Sequence, residues 1–277
     1  MMPKIMVKDL VKIFETRRGE THALNGVNLT IGDGEFVCIV GPSGCGKTTM
    51  LRIMAGLETP TSGSVEMRRS SGDERPLNAM VFQEFSLFPW MTVMDNVAFG
   101  LEMRGVPKKE RQERAMSFIE KVGLSRFHNH YPHQLSGGMK QRVSLARAFV
   151  TDPEVLLMDE PFANLDAQNK LLLQDELVRI WEEFRKTVVF ITHSIDEAIL
   201  LGDRVVAMTA APGAVKEIFH VGFPRPRDIF ETRATKEFGE MSFKIWEILE
   251  SEVKKAREVE LRWEKAVKKV VKEVDVR

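Results

Sequence analysis

The segment that most constrains this chain is Gly41-Pro42-Ser43-Gly44-Cys45-Gly46-Lys47-Thr48. It has the spacing G-x-x-x-x-G-K-[ST] and lies between an apolar run at 35–40 and a helical pattern running from Lys47 to about Leu57. Such a loop works only if backbone N–H groups converge on an anion, so side chains must be missing at the tightest points. The helix that opens there adds its positive N-terminal end. Lys47 then supplies a full charge for β- and γ-phosphates, and the Thr48 hydroxyl is a hard ligand suited to Mg²⁺. The plain alternative is a glycine-rich turn that binds nothing, and the strand-loop-helix context speaks against it.

The rest of the chain supports an α/β fold. Val27, Leu29 and Ile31 alternate with polar residues, as in a half-buried strand. Short apolar runs at 35–40, 78–82, 155–158, 187–191 and 204–208 read as strands buried on both faces of a parallel or mixed sheet. Residues 84–150 carry only helical patterns, near 93–103, 107–122 and 137–150, and read as a helical lobe inserted into that core. Past about 220, Phe223-Pro224-Arg225-Pro226-Arg227 punctuates the chain, and 228–277 reads as lysine- and glutamate-rich helix.

Composition narrows the function. At 277 residues and 43% hydrophobic, the chain can bury one compound α/β core. Lys plus Arg equals Asp plus Glu at 40 each, which gives no argument for a polyanionic ligand. Cys38 and Cys45 alone cannot build a disulfide framework, and Cys38 reads as a small core residue. The N-terminus lacks a signal-peptide core, and no run approaches the ~20 apolar residues of a membrane helix. Any membrane spanning is expected of other chains.

Two further motifs carry chemistry. The strand Val155–Met158 ends in Asp159-Glu160-Pro161, and adjacent residues leave a strand on opposite sides. Asp159 can therefore hold Mg²⁺ while Glu160 accepts a proton from an attacking water. Taken alone, the pair would read as an exposed acidic loop. Ser136 with Gly137 and Gly138 opens the helical pattern after 137, with Ser136 as N-cap, and makes a second helix-end anion site.

Leu135-Ser136-Gly137-Gly138-Met139-Lys140-Gln141-Arg142 strongly resembles the signature motif of ATP-binding cassette (ABC) proteins, and residues from about 5 to 220 fall into that pattern. The resemblance implies a P-loop NTPase (RecA-like) core with an N-terminal antiparallel β region, an inserted α-helical subdomain and a C-terminal helical extension. It divides the chain into an ATPase domain, 1–222, and an extension, 223–277. It implies that Gly41–Thr49 (Gly41, Pro42, Ser43, Gly44, Cys45, Gly46, Lys47, Thr48 and Thr49) bind ATP and that Ser136, Gly137 and Gly138 of a second copy complete the site. Gln83 matches the glutamine near Mg²⁺ and the attacking water, placed at the end of the 78–82 strand. Asp166, in Asn164-Leu165-Asp166, matches the loop that crosses the dimer interface, His193 the histidine that contacts the γ-phosphate, and Phe14 an aromatic that stacks on adenine. Alone, Phe14 or His193 would read as a core or surface residue. Met139, Ser194 and Ala163-Asn164 depart from the commoner residues without removing a catalytic group.

The family divides into transporter motors and soluble ATPases acting on nucleic acid or ribosomes. One cassette without a long coiled-coil insertion, together with neutral charge, favours the transporter. Leu87–Val93, Leu165–Gln168 and Phe223–Arg227 resemble the nitrate, sulfonate and taurine importer subgroup. The implied partners are a second copy, permease subunits docking near 83–105 and, indirectly, a solute-binding protein, but no nucleic acid. The implied place is the cytoplasmic face of the membrane. Other small solutes, such as a thiamine precursor or another oxyanion, are the runner-up cargo. In the extension, Leu249, Val253, Ala256, Glu260, Trp263, Val267, Val270 and Val274 repeat at alternating spacings of four and three. That seam suits pairing with its copy, or an amphipathic helix packed on its own domain.

Overall fold

The structure is a computed structural model that describes residues 3–16, 19–70, 72 and 74–274, with side chains described as far as Leu261. In chain order its elements are β1 (Ile5–Thr16), β2 (Gly19–Ile31), β3 (Phe36–Val40), α1 (Lys47–Met54), β4 (Ser62–Met67) and β5 (Asn78–Val81). A helical stretch follows: α2 (Val93–Met103), α3 (Lys108–Lys121), two short 3-10 turns and α4 (Gly137–Phe149). Then come β6 (Val155–Asp159), α5 (Ala167–Phe184), β7 (Thr187–Ile191), α6 (Ile195–Leu201), β8 (Arg204–Met208), β9 (Val215–His220), α7 (Ile229–Arg233) and α8 (Lys236–Val274).

The main sheet has the order β5-β6-β7-β3-β8-β9, parallel except for β9 at one edge. Its central strands are buried along their whole length because side chains alternate between two hydrophobic layers. Phe36, Cys38 and Val40 enter the layer shared with α4, α5 and α6. Val37 and Ile39 enter the layer under α1 and the second sheet. That second sheet is antiparallel, in the order β2-β1-β4, and Val27, Leu29 and Ile31 face inward from it as their alternation requires.

Several boundaries differ from the sequence reading. The first helix stops at Met54 rather than near Leu57, because the chain turns left-handed at Gly56. Strand β5 stops at Val81, so Gln83 lies beyond the strand and not at its end. The terminal helical stretch is two helices, α7 and α8, separated at Ala234-Thr235. Strands β4 and β9, absent from the sequence reading, are edge strands whose side chains, mostly half-buried or exposed, follow neither the alternating nor the fully buried pattern.

Two tethers set the lobes. The buried Asn96 side chain bonds Phe88 N, Phe88 O, Met91 O and Thr92 O, locking the 88–92 turn onto α2. In the Phe223–Arg227 segment, the Arg227 guanidinium donates to the carbonyls of Ile199, Leu200 and Gly202 and so caps the C-terminus of α6. Arg225 stacks on the Trp181 ring at 4.5 Å and bonds Leu201 O and Asp203. This clamp leads the chain into α7 and α8. The first half of α8 then docks through Phe238, Ile245, Leu249 and Glu252. Those contacts match the reading in which the helix packs on its own domain. For Trp263, Val267, Val270 and Val274 the seam lies outside the described side chains.

Candidate functional site

The loop 41–48 joins β3 to α1 and is tightened by two left-handed glycines, Gly44 (φ 74°) and Gly46 (φ 92°). A Cβ at Gly46 would stand 2.5 Å from Ala23 O and 2.7 Å from Leu24 Cδ2, so packing against β2 as well as backbone conformation demands glycine there. Gly46 is also the N-cap of α1, leaving that helix end free of a capping side chain. Pro42 and Cys45 are buried beneath the loop, Ser43 and Gly44 form its exposed tip, and Thr49 is half-buried in the first turn of α1. Burial pushes the Cys45 thiol up against the opposing pull of Lys47, so Cys45 is a packing residue.

Lys47 is itself buried, with its ammonium over Gly41 O (2.8 Å) and Pro42 O (2.9 Å). The Thr48 hydroxyl donates to Asp159 Oδ1 at 2.9 Å, which joins the helix start to the end of β6. Burial raises the Asp159 carboxyl above its ordinary range, with the Thr48 bond working against it. Next along the chain, Glu160 takes a left-handed φ of 44°, and its N–H donates to Ile191 O. That turn sends its carboxylate the other way, with Oε1 3.0 Å from His193 Nδ1. Burial acts to raise Glu160, but the bond and charge of His193, aided by Lys47, hold the carboxyl below its usual value. His193 is raised in turn, first by its bond to Glu160.

A buried network behind His193 was missed in the sequence. Glu197 bonds the Thr192 hydroxyl, Gln174 Nε2 and the Lys170 ammonium, while Ser194 caps α6 through Glu197 N. The spacing Ser194-x-x-Glu197, an N-cap signature, could have revealed it. Also missed was the loop after β8. A Cβ at Gly213 would stand 1.9 Å from Cys45 O, and Gly213 N donates to Ala23 O. This loop presses the phosphate loop against β2, and the Pro212-Gly213 pair was its only sequence trace.

The remaining candidates form a separate group. Ser136 caps α4, its Oγ accepting from Met139 N at 3.3 Å. Ser136 and Gly137 are exposed, and the first turn of α4 has no acidic residue, so its positive end is uncompensated. A Cβ on Gly138 would stand 3.6 Å from Asn169, so this helix start lies against that of α5. Asp166 caps α5, accepting from Asn169 N and Nδ2, and these bonds hold its carboxyl below the ordinary value. Gln83 is exposed, and its carbonyl accepts from Asn164 Nδ2 at 3.4 Å. Among the described residues, no side-chain hydrogen bond or ion pair joins Gln83, Ser136–Gly138 or Asp166 to Lys47, Thr48, Asp159, Glu160 or His193. Phe14 is likewise apart on β1, half-buried, with the Lys12 ammonium 4.7 Å from its ring centroid.

The donor set fits a magnesium ion shared with phosphate. Thr48 and Asp159 offer two hard oxygens, and among the described residues no cluster of three or more His, Cys, Asp or Glu could hold a metal. An ion that retains waters and takes phosphate oxygens suits such a sparse protein shell, whereas one needing a full protein cage does not.

A strand-loop-helix phosphate cradle, a carboxylate closing the adjacent strand and a glutamate-histidine pair beside it define a P-loop ATPase. Residues 24–163 match the ABC transporter family model. An uncharacterised ABC transporter ATP-binding protein of Methanocaldococcus jannaschii is 51% identical over 92% of this chain and 95% of its own length. The nitrate import ATP-binding protein of Synechocystis is 44% identical over 83% of this chain and 87% of its own. The dimeric post-hydrolysis structure of an ATP-binding cassette bound to ADP and Pi superposes with a TM-score of 0.70, at 36% identity, over 79% of this chain and all of that one. The chain belongs to the ABC transporter ATP-binding family. It is an ATPase of membrane transport.

Proposed function

We propose that this chain is the motor of a small-anion importer and that it hydrolyses MgATP at two sites sandwiched in a head-to-tail homodimer. The observation that carries this reading is the division of the site. Lys47, Thr48, Asp159, Glu160 and His193 are gathered in one group, while among the described residues the Ser136–Gly138 helix end makes no side-chain bond to that group, has no acidic residue in its first turn, and leaves Ser136 and Gly137 exposed. A second copy related by a two-fold axis offers its helix end to the first copy's cradle, and the first returns the same contact. The dimeric cassette neighbour supports this arrangement.

In this reading Gly41–Thr49 and Lys47 bind the β- and γ-phosphates of ATP. Thr48 and Asp159 hold Mg²⁺, with Gln83 approaching it. Mg²⁺ supplies neutralisation of phosphate charge when bound. Glu160 accepts the proton of the attacking water, and His193 orients Glu160 and meets the γ-phosphate. Ser136, Gly137 and Gly138 of the partner donate to the same phosphate, Phe14 packs on adenine and Asp166 crosses the interface. Loss of the γ-phosphate removes a contact made by both copies, so the dimer opens.

The membrane side is supported by a surface. Trp90 is 69% exposed and Met103 64%, on the segment 83–105 that Asn96 makes rigid. We assign this surface to permease subunits, with a solute-binding protein acting through them. The chain would sit peripherally on the cytoplasmic face of the membrane. Among the described residues no helix is long and apolar enough to cross a membrane. The nitrate import relative supports an anionic cargo.

Glu160→Gln tests the chemistry. It is expected to keep ATP binding, lose about 10²–10⁴-fold in turnover and hold an ATP-bound dimer. Near-normal phosphate release would remove Glu160 from the base role. Copurification of the wild-type chain with RNA or ribosomes, and with no membrane protein, would favour a non-transport ATPase.

A further inference from the structure

Helix α8 runs for 39 residues, roughly 58 Å, and among its described side chains the buried ones, Phe238, Ile245, Leu249 and Glu252, all lie in its first half, where it packs on the domain. Among the described side chains beyond Glu252, Val253, Val259 and Leu261 are exposed. Trp246, exposed nearer the start and two turns before Val253, lies on the same face as Val253. This stripe faces the catalytic machinery. A cleft of about 1150 Å³ has Gly41–Gly44 and His193 on one wall and, on the other, Trp246, Val253 and Val259 interleaved with Glu252, Lys255, Arg257 and Glu260. Any body that covers this mixed apolar and charged wall must therefore lie against the phosphate loop.

The geometry points to a second copy of this chain as that body, with α8 forming an added clasp in the ATP-bound dimer. The inference rests on the sandwich reading above, which already places a second copy on the phosphate loop, so the cleft is continuous with that interface. The charge pattern agrees. Residues 236–252 carry two lysines and five glutamates, whereas 253–274 carry eight lysines and arginines and four glutamates. A helix acidic in its first half and basic in its second is self-complementary when a two-fold axis runs the two copies antiparallel. A permease surface or an anionic lipid surface would be met through one sign of charge, and the interleaved glutamates of the distal half oppose lipid binding.

The test uses the full chain with Glu160→Gln, with MgATP present, and follows dimer dissociation by analytical ultracentrifugation. Val259→Glu and, separately, a chain ending at Lys255 are placed in that background. Both leave the docked half of α8 intact, and unchanged melting temperatures confirm that each folds. Each is expected to raise the dimer dissociation constant at least tenfold. If the parent dimerises and both variants dimerise as tightly, the clasp is wrong and the sandwich stands. If the parent stays single-chained with MgATP, the sandwich itself fails, and the clasp with it. If Val259→Glu dimerises normally but loses binding to permease or to anionic vesicles, the stripe belongs to that partner and the proposal is overturned.

Discussion

Lys47 and Gly213 act on the same loop from opposite sides. Lys47 bridges the carbonyls of Gly41 and Pro42 from within, and Gly213 closes over Cys45 from outside. A methyl group at 213 has no space, so Gly213→Ala must shift either its own loop or the phosphate loop. We expect Gly213→Ala to weaken binding of a fluorescent ATP analogue at least tenfold, about 1.4 kcal/mol, with unchanged far-UV circular dichroism. Wild-type affinity in that variant would show that the 209–213 loop does not position the cradle. Cys45 needs no such test as a nucleophile, because burial raises its thiol away from the thiolate form.

At the scale of elements, α8 and the Phe223–Arg227 segment are joined to the core by buried charge. Arg227 is almost fully buried, and burial lowers its pKa to about 10, still far above neutrality. Replacing it with alanine strands three carbonyls at the end of α6, which should cost about 3 kcal/mol in urea unfolding. A loss below about 1 kcal/mol would mean that water replaces the guanidinium. Glu252 fastens α8 to the loop after β8. Burial opposes its charge, but Lys216, Ala210 N and Lys255 outweigh that and hold the carboxyl at about 2. Because the folded value lies below the unfolded one, this stabilisation is present above the unfolded pKa near 4.5 and is lost as pH falls towards 2. Glu252→Gln should therefore be less stable than wild type at pH 7, on the order of 2 kcal/mol, with the gap narrowing from pH 5 to pH 3. A gap independent of pH would assign the effect to packing.

For the whole molecule, the prediction concerns complementation. Lys47→Ala removes the ammonium over Gly41 O and Pro42 O, and Gly137→Asp places a negative charge at the exposed start of α4, the end that the proposed sandwich turns toward the partner. Each variant alone should be nearly inactive. Mixed, they form heterodimers in which one site keeps both an intact cradle and an intact helix end. A colorimetric phosphate assay should then recover roughly a quarter of wild-type turnover, since about half the dimers are mixed and each has one good site of two. No recovery on mixing would argue that both halves of the site come from one chain.

Much of this protein was legible in its sequence because the signals are local. Apolar runs gave β3, β6, β7 and β8, since strands buried on both faces need no alternation. The spacing of glycines and Lys47 gave the loop, and Ser136 before two glycines gave the start of α4. Edge strands β4 and β9 were hidden because buried and exposed residues do not alternate along them. The contact of Gly213 with Cys45, the Glu197 network behind His193 and the approach of α8 to the phosphate loop join residues far apart in the chain or buried among others. The Ser194-x-x-Glu197 spacing marks the helix cap but not the partners Gln174 and Lys170, and no spacing rule encodes the other two meetings. They follow from how the sheet order β5-β6-β7-β3-β8-β9 brings strand ends together, which only the folded chain decides.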